Sequence, residues 1–137
     1  MAENIKLEIV APDKLVVDDQ AQIVMAPGSE GEFGVLRGHT PFLTSLKVGT
    51  VTYKDAGGTE RLVFISGGFS EALPDKVTIL AESAERRRDI DEDRAREAMK
   101  RAEDRLASGK SDEVDFLRAQ AALSRAIYRL RVKGHVI

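Results

Sequence analysis

Cysteine is absent from this 137-residue chain, which excludes disulfides, thiolate nucleophiles and cysteine-built zinc sites. Histidine occurs only at His39 and His135, far apart in sequence, so no histidine-rich metal site is expected. Aromatic residues are scarce, at 5%, which removes the stacking platforms that single-stranded nucleic acid needs. No apolar run approaches the ~20 residues of a membrane span. The start, Met1-Ala2-Glu3-Asn4, lacks the basic residues and apolar stretch of a signal peptide, so a cytosolic setting is expected. What remains is 42% hydrophobic and 32% charged, the balance of a soluble globular chain with one modest core.

The net charge of −2 conceals two regions. Residues 1–84 carry 7 Lys/Arg against 12 Asp/Glu, whereas residues 85–137 carry 14 against 11, and 11 of those 14 cations are Arg. All four prolines, and every glycine except Gly109 and Gly134, fall in the first region. In that region Ile5, Leu7 and Ile9 alternate with Lys6 and Glu8, a period of two. Further β-rich runs are Val16-Val17, Ile23-Val24-Met25, Val51-Thr52-Tyr53, Leu62-Val63-Phe64-Ile65 and Val77-Thr78-Ile79-Leu80. Turn pairs such as Pro12-Asp13, Gly57-Gly58 and Pro74-Asp75 separate them. Short strands at this spacing predict an antiparallel β-sandwich or barrel, and leave no room for the helices of a parallel βαβ sheet.

Residues 90–131 predict two helices. Asp89 is placed as N-cap, with Glu92 three residues on as a capping box. Ala95, Ala98, Met99, Ala102 and Leu106 follow at helical spacing. Ser108-Gly109-Lys110 is a stop signal, with Gly109 at the left-handed position, and Ser111 or Asp112 caps the next helix. That helix has two apolar stripes, one through Val114, Leu117, Ala121, Ser124 and Tyr128, the other through Phe116, Ala119, Leu123, Ala126 and Leu130. So short a connection implies an antiparallel hairpin. The fold class is therefore α+β, with a β-sandwich domain in 1–84 and a helical hairpin in 85–137. The strands carry enough apolar side chains for their own core, and the alanine-rich hairpin does not.

Enzyme motifs are missing. The glycines of residues 28–34 are not followed by Gly-Lys-Ser/Thr, so they make no phosphate loop and are read as a turn between strands. Ser66-Gly67-Gly68 is not a nucleophile elbow. Asp89, Asp91 and Asp93 match the opening spacing of a calcium loop, but Arg94 and Lys100 stand at the sixth and twelfth positions, where Gly and Glu are needed. No catalytic residue and no metal ligand is assigned. His39, in the polar stretch Leu36-Arg37-Gly38-His39-Thr40-Pro41, is either a turn histidine bonding nearby backbone or a contact for a partner.

The arginines are the chemical signal. Arg94 and Arg101 share one face of the first helix; Arg118, Arg125 and Arg129 share one face of the second. Converging guanidinium groups repel and need anions. Three sources are open: local acids such as Glu85, Asp91, Glu97, Glu103 and Asp115 in a salt-bridge network, the phosphates of a ligand, or nucleic acid, which the even mixing of acids disfavours.

These segments resemble the epsilon subunit of bacterial F-type ATP synthases over nearly the whole chain. Gly31-Glu32-Phe33-Gly34-Val35-Leu36-Arg37-Gly38-His39-Thr40-Pro41 looks like the family's G-x-x-G-x-L-x-G-H-x-P stretch. Ser66-Gly67-Gly68-Phe69-Ser70-Glu71 and Asp75-Lys76-Val77-Thr78-Ile79-Leu80-Ala81 look like its next two blocks. Ile90-Asp91-Glu92-Asp93-Arg94-Ala95 matches the I/L-D-x-x-R-A motif of nucleotide-sensing members. The resemblance implies a sandwich of about ten strands followed by two helices. It also implies a non-catalytic rotor subunit at the cytoplasmic face of the bacterial membrane. Implied partners are the gamma subunit, the c-ring and, when the helices extend and block ATP hydrolysis, the alpha/beta hexamer. No cofactor is obligatory. ATP is the implied regulatory ligand, at Glu85, Asp91, Arg94, Ala95, Arg101, Arg125 and Arg129. Arg101, Arg125 and Arg129 are candidates for the phosphates; Glu85 and Asp91 suit the adenine amino group or hold Arg94. The c-ring contact falls on Glu32 and His39, in a loop read as running from Glu32 to Pro41. Arg86-Arg87-Arg88 is unusually basic for the family, and the tail from Lys133 matches no motif. A stand-alone ATP-sensing protein is the alternative.

Overall fold

A computed structural model describes residues 3–109 and 112–134. Lys110 and Ser111 of the expected turn, and His135 in the tail, lie outside the described residues. The chain divides into two compact units between Arg87 and Arg88.

The first unit holds nine strands: β1 Ile5–Ala11, β2 Lys14–Gly28, β3 Gly31–Val35, β4 Phe42–Leu46, β5 Gly49–Asp55, β6 Glu60–Ile65, β7 Gly68–Leu73, β8 Lys76–Ala81 and β9 Ala84–Arg86. Their order is β1-β8-β7-β4-β2-β5-β6-β9, with β3 on β2 and a further β1–β2 pairing. The 15-residue β2 meets β1, β3, β4 and β5, so one long strand serves both layers. β1 and β8 pair in parallel; all other pairings are antiparallel. The alternation in β1 buries Ile5, Leu7, Ile9 and Ala11. Ile5, Leu7 and Ile9 join Val17, Val24, Val51, Val63, Ile65, Val77 and Ile79 in one core, each large side chain contributing roughly 1.5–3 kcal/mol.

One expectation needs correction here. Residues 28–34 are not simply a connecting turn. Gly31–Val35 is a strand, and its register Ala26↔Phe33 and Val24↔Val35 puts Val35 in the core. Glu32 therefore stands on β3, and only residues 36–41 lie between strands. Contacts divide the chain after Arg87, near the compositional shift read at Ala84. Ala84, Glu85 and Arg86 pair with Ile65, Phe64 and Val63, a ladder that charge and glycine content do not register.

Tyr53, 2% exposed, donates from its hydroxyl to Asp19 Oδ2 at 3.0 Å. Burial and the Asp19 bond push its pKa up from 10.0 to about 12. The neutral phenol therefore adds stability that is complete below the unfolded value near 10 and is lost as pH rises through 12. Tyr53→Phe should be the less stable protein at neutral pH. In denaturant melts the gap should close and reverse above pH ~12, and the variant should lose the last phase of tyrosinate absorbance. A gap that does not change with pH would contradict this.

The second unit is α1 Glu92–Ser108 and α2 Glu113–Lys133, packed on each other. The N-cap of α1 is Asp91, not Asp89: its carboxylate accepts the Arg94 N–H at 3.1 Å. Asp89 instead ends a 3-10 turn, Arg87–Asp89. Both aspartates carry the right side chain, and the buried Ile90 between them (3% exposed) separates turn from helix. Gly109 closes α1 in the left-handed conformation, φ 65°, as its lack of a Cβ permits. Asp112 caps α2, accepting from Asp115 N–H at 2.8 Å. The buried faces are largely alanine: Ala95 and Ala102 on α1, Ala119, Ala126, Leu130 and Val132 on α2. Of the two α2 stripes, the one through Ala119, Ala126 and Leu130 is turned inward. Val114 and Leu117 of the other stripe are more than half exposed.

Candidate functional site

The helical unit carries six of the seven expected nucleotide positions. Asp91 and Arg94 are exposed at the start of α1, and Ala95 is buried one residue on. Asp91 spends one carboxylate oxygen on the cap. Arg101 borders a groove of ≈ 100 Å³ between the two helices, lined also by Ala98, Ala102, Arg105, Ala119 and Ala122. Arg125 and Arg129 are half-buried along α2. Glu85, the seventh, belongs to the other unit, half-buried on β9 opposite Phe64.

Ligand pockets typically enclose about 300–1,000 Å³, so the interhelical groove encloses about a phosphate-sized group, and a larger ligand would extend out of it along the helices. The salt-bridge reading is not met at four of the arginines. Ion pairs in this unit include Arg96–Glu92 at 2.8 Å and Arg88–Asp89 at 4.0 Å. Neither involves Arg94, Arg101, Arg118 or Arg125, which have no ion pair among the described residues. The calcium-loop spacing is absorbed by the helix start, because Asp91 caps α1 and Asp93 lies in its first turn.

In the sandwich, Glu32 is exposed on β3 opposite Pro27. His39 is half-buried. Its Nδ1 lies 2.6 Å from the Thr40 carbonyl oxygen, and its ring packs edge-on against Phe42 at 5.5 Å. The Nε2 atom is buried without a hydrogen-bond partner among the described residues. The turn role expected for His39 is thus present, with the ring facing inward.

One surface was not anticipated. Register places Leu15 opposite Val10, Val10 opposite Leu80, and Leu80 opposite Phe69, an apolar row across β2, β1, β8 and β7. Leu43 on β4 continues it, two residues from Ser45, which faces Phe69. Leu15, Phe69 and Leu80 are 54–57% exposed and Leu43 is 71% exposed. Val10, Phe69 and Leu80 line a shallow groove of ≈ 410 Å³ with Ala11, Pro12 and Glu82. In β7 the usual preference is inverted: Ser70 is fully buried while Phe69 faces out. Contiguous exposed apolar area of this kind marks a docking face. A sequence signal existed. Ile79, Leu80 and Ala81 are consecutive apolar residues in one strand, so one parity must point outward.

The two units coincide with two family models. Residues 4–87 match the ATP synthase delta/epsilon chain β-sandwich domain, and residues 88–134 match the long α-helix domain of the same chain. The chain belongs to the ATP synthase epsilon-chain family. It is 65% identical over 132 residues to the ATP synthase epsilon chain of Desulforapulum autotrophicum, covering 96% of this chain and 97% of that one. To the epsilon chain of Bacillus velezensis it is 47% identical, covering 97% and 99%. A chain in the cryo-EM structure of Euglena gracilis mitochondrial ATP synthase, OSCP/F1/c-ring, superposes with TM-score 0.82 at 25% identity, over 98% of this chain and 84% of that one. The relatives it matches are ATP synthase epsilon chains, a stalk subunit rather than the catalytic one. No helix among the described residues is long and apolar enough to cross a membrane.

Proposed function

We propose that this chain is the rotor subunit that links gamma to the c-ring in an F-type ATP synthase at the cytoplasmic face of the membrane, and that its hairpin regulates ATP hydrolysis. The observation that carries the rotor reading is the apolar row Leu15–Val10–Leu80–Phe69. It presents more exposed hydrocarbon than a stand-alone ATP sensor has use for, and gamma is the partner assigned to it. The end bearing Glu32 and the loop braced by His39 meets the polar loops of the c-ring, Glu32 by direct contact and His39 by shaping residues 36–41. The sandwich ends at Arg87 and the hairpin begins at Arg88.

ATP is the regulatory ligand of the folded hairpin. Its phosphates engage Arg101, Arg125 and Arg129. Asp91 and Arg94 bind at the start of α1 beside Ala95, and Glu85 supplies a further acceptor. An alanine interface buries little area, so the folded and extended hairpins differ by a small free energy. A ligand that binds only the folded form can then decide between them. Without ATP the helices extend toward the alpha/beta hexamer and block hydrolysis.

Calorimetric titration of the isolated chain tests the site. A charge-assisted hydrogen bond is worth about 1.5–3 kcal/mol, so Arg94→Ala should weaken ATP binding by about 10-fold or more. The same variant should leave the reconstituted synthase more inhibited at a given ATP concentration. Equal affinity of the variant and the parent would remove Arg94 from the site. No heat from either protein at millimolar ATP would remove the site altogether.

A further inference from the structure

The arginine triplet ahead of α1 is not one uniform basic patch, because its first member is built into the sandwich. Arg86 Nε donates to the Val16 carbonyl oxygen at 2.7 Å, across 70 residues of sequence. The strand that carries it, β9, has only three residues, pairs with β6 alone and stands last in the sheet order. A three-residue edge strand has few ladder bonds with which to resist fraying. The segment before it is also stapled: Glu82 N–H donates to the Gly67 carbonyl at 3.0 Å and Ser83 Oγ to Ser66 Oγ at 2.8 Å. The attachment to the sandwich is therefore continuous from Glu82 to Arg86. Beyond it the backbone changes character. Residues 87–89 form one exposed 3-10 turn, whose hydrogen-bond geometry is poorer than that of ladder or α-helix. Regular structure resumes only at the Asp91 cap.

We propose that Arg86 is the clamp that fixes the sandwich end of the lever carrying the hairpin, so that hairpin movement pivots within residues 87–90. The clamp stands on the sandwich alone; its regulatory consequence rests on the reading of the hairpin as extendable. Releasing β9 would add three residues to the tether, about 10 Å of extended chain. The direction imposed on α1 by a fixed pivot would be lost. Arg86 acts as a positioning residue and touches no ligand.

Hydrogen exchange of the full chain, read by mass spectrometry, tests the clamp. In the parent protein the amides of Ala84–Arg86 should exchange slowly and those of residues 87–89 fast. Arg86→Gln should speed exchange across β9 by about 3- to 10-fold, the worth of one hydrogen bond, while β1 and β8 stay protected. Arg86→Lys, which keeps a donor, should restore much of the protection. Calorimetric ATP affinity is measured in parallel, because β9 also carries Glu85 of the proposed nucleotide site. Reconstituted with the synthase and compared at equal ATP occupancy, Arg86→Gln should shift the degree of inhibition. Fast exchange at β9 in the parent, or no change in Arg86→Gln, overturns the clamp. A loosened β9 with parental inhibition overturns the pivot. If the parent chain does not inhibit at all, the extendable-hairpin reading fails, and the exchange data still decide the clamp.

Discussion

Gly68→Ala should prevent the sandwich from folding at ordinary temperature. Gly68 opens β7 with φ +143°, between Leu46 of β4 and Ala81 of β8. A Cβ placed there would lie 2.0 Å from the Leu80 carbonyl oxygen and 2.9 Å from Ala81 Cα. Both are backbone atoms, so relief requires β8 to move, and β8 carries the core residues Val77, Ile79 and Ala81. The expected loss is about 4 kcal/mol or more, the exceptional range for a single substitution, from a total near 5–15 kcal/mol. Gly57→Ala is the control: its Cβ would meet only Asp55 Oδ1, at 3.5 Å. It should stay within about 1 kcal/mol of the parent. Urea melts followed by circular dichroism separate the two. Equal midpoints for both variants would show that β8 yields easily and that the packing argument is wrong.

Phe69→Asp and Leu80→Asp should abolish assembly with gamma while leaving the chain folded. Both side chains are more than half exposed, so in the free chain a carboxylate at either position remains hydrated. The expected stability change is within about 1 kcal/mol. Docked against an apolar partner face, the same carboxylate would be desolvated without a counter-ion. Losing a central apolar contact costs about 2 kcal/mol or more, and the buried charge adds to it, so affinity should fall by about 100-fold or more. Co-purification with gamma, with Glu60→Gln on β6 as control, reads the outcome. Parental affinity in both Asp variants would show that the row is not the gamma face, whatever else covers it.

The hairpin was legible because its information is local. A 3.6-residue apolar period, an Asp cap, a glycine stop and a second Asp cap lie within one contiguous stretch, and each acts on the backbone beside it. The position of the first cap was misread because Asp89 and Asp91 offer the same chemistry two residues apart. The burial of Ile90 between them decides which one opens the helix. The arginine set was also legible as residue types at shared-face spacing. That Arg94, Arg101, Arg118 and Arg125 make no ion pair among the described residues was not, since acids stand close to them in sequence.

The strands were legible as a class and much less so as an arrangement. Period-two alternation places β1 and the core run of β8, and the turn residues separate their neighbours. Strand order, the parallel β1–β8 pairing and the service of β2 to both layers arise from contacts between residues far apart in the chain. By itself, the sequence determined two regions, a sandwich class, a helical hairpin and a cluster of arginines, because propensity, periodicity and capping depend only on near neighbours. Tertiary structure alone decided that Leu15, Val10, Leu80 and Phe69 form one row on the outer face, that Phe69 rather than Ser70 faces outward, and that Arg86 is tied to Val16. Each depends on register between strands, and a shift of one residue would have turned every one of those side chains to the other face.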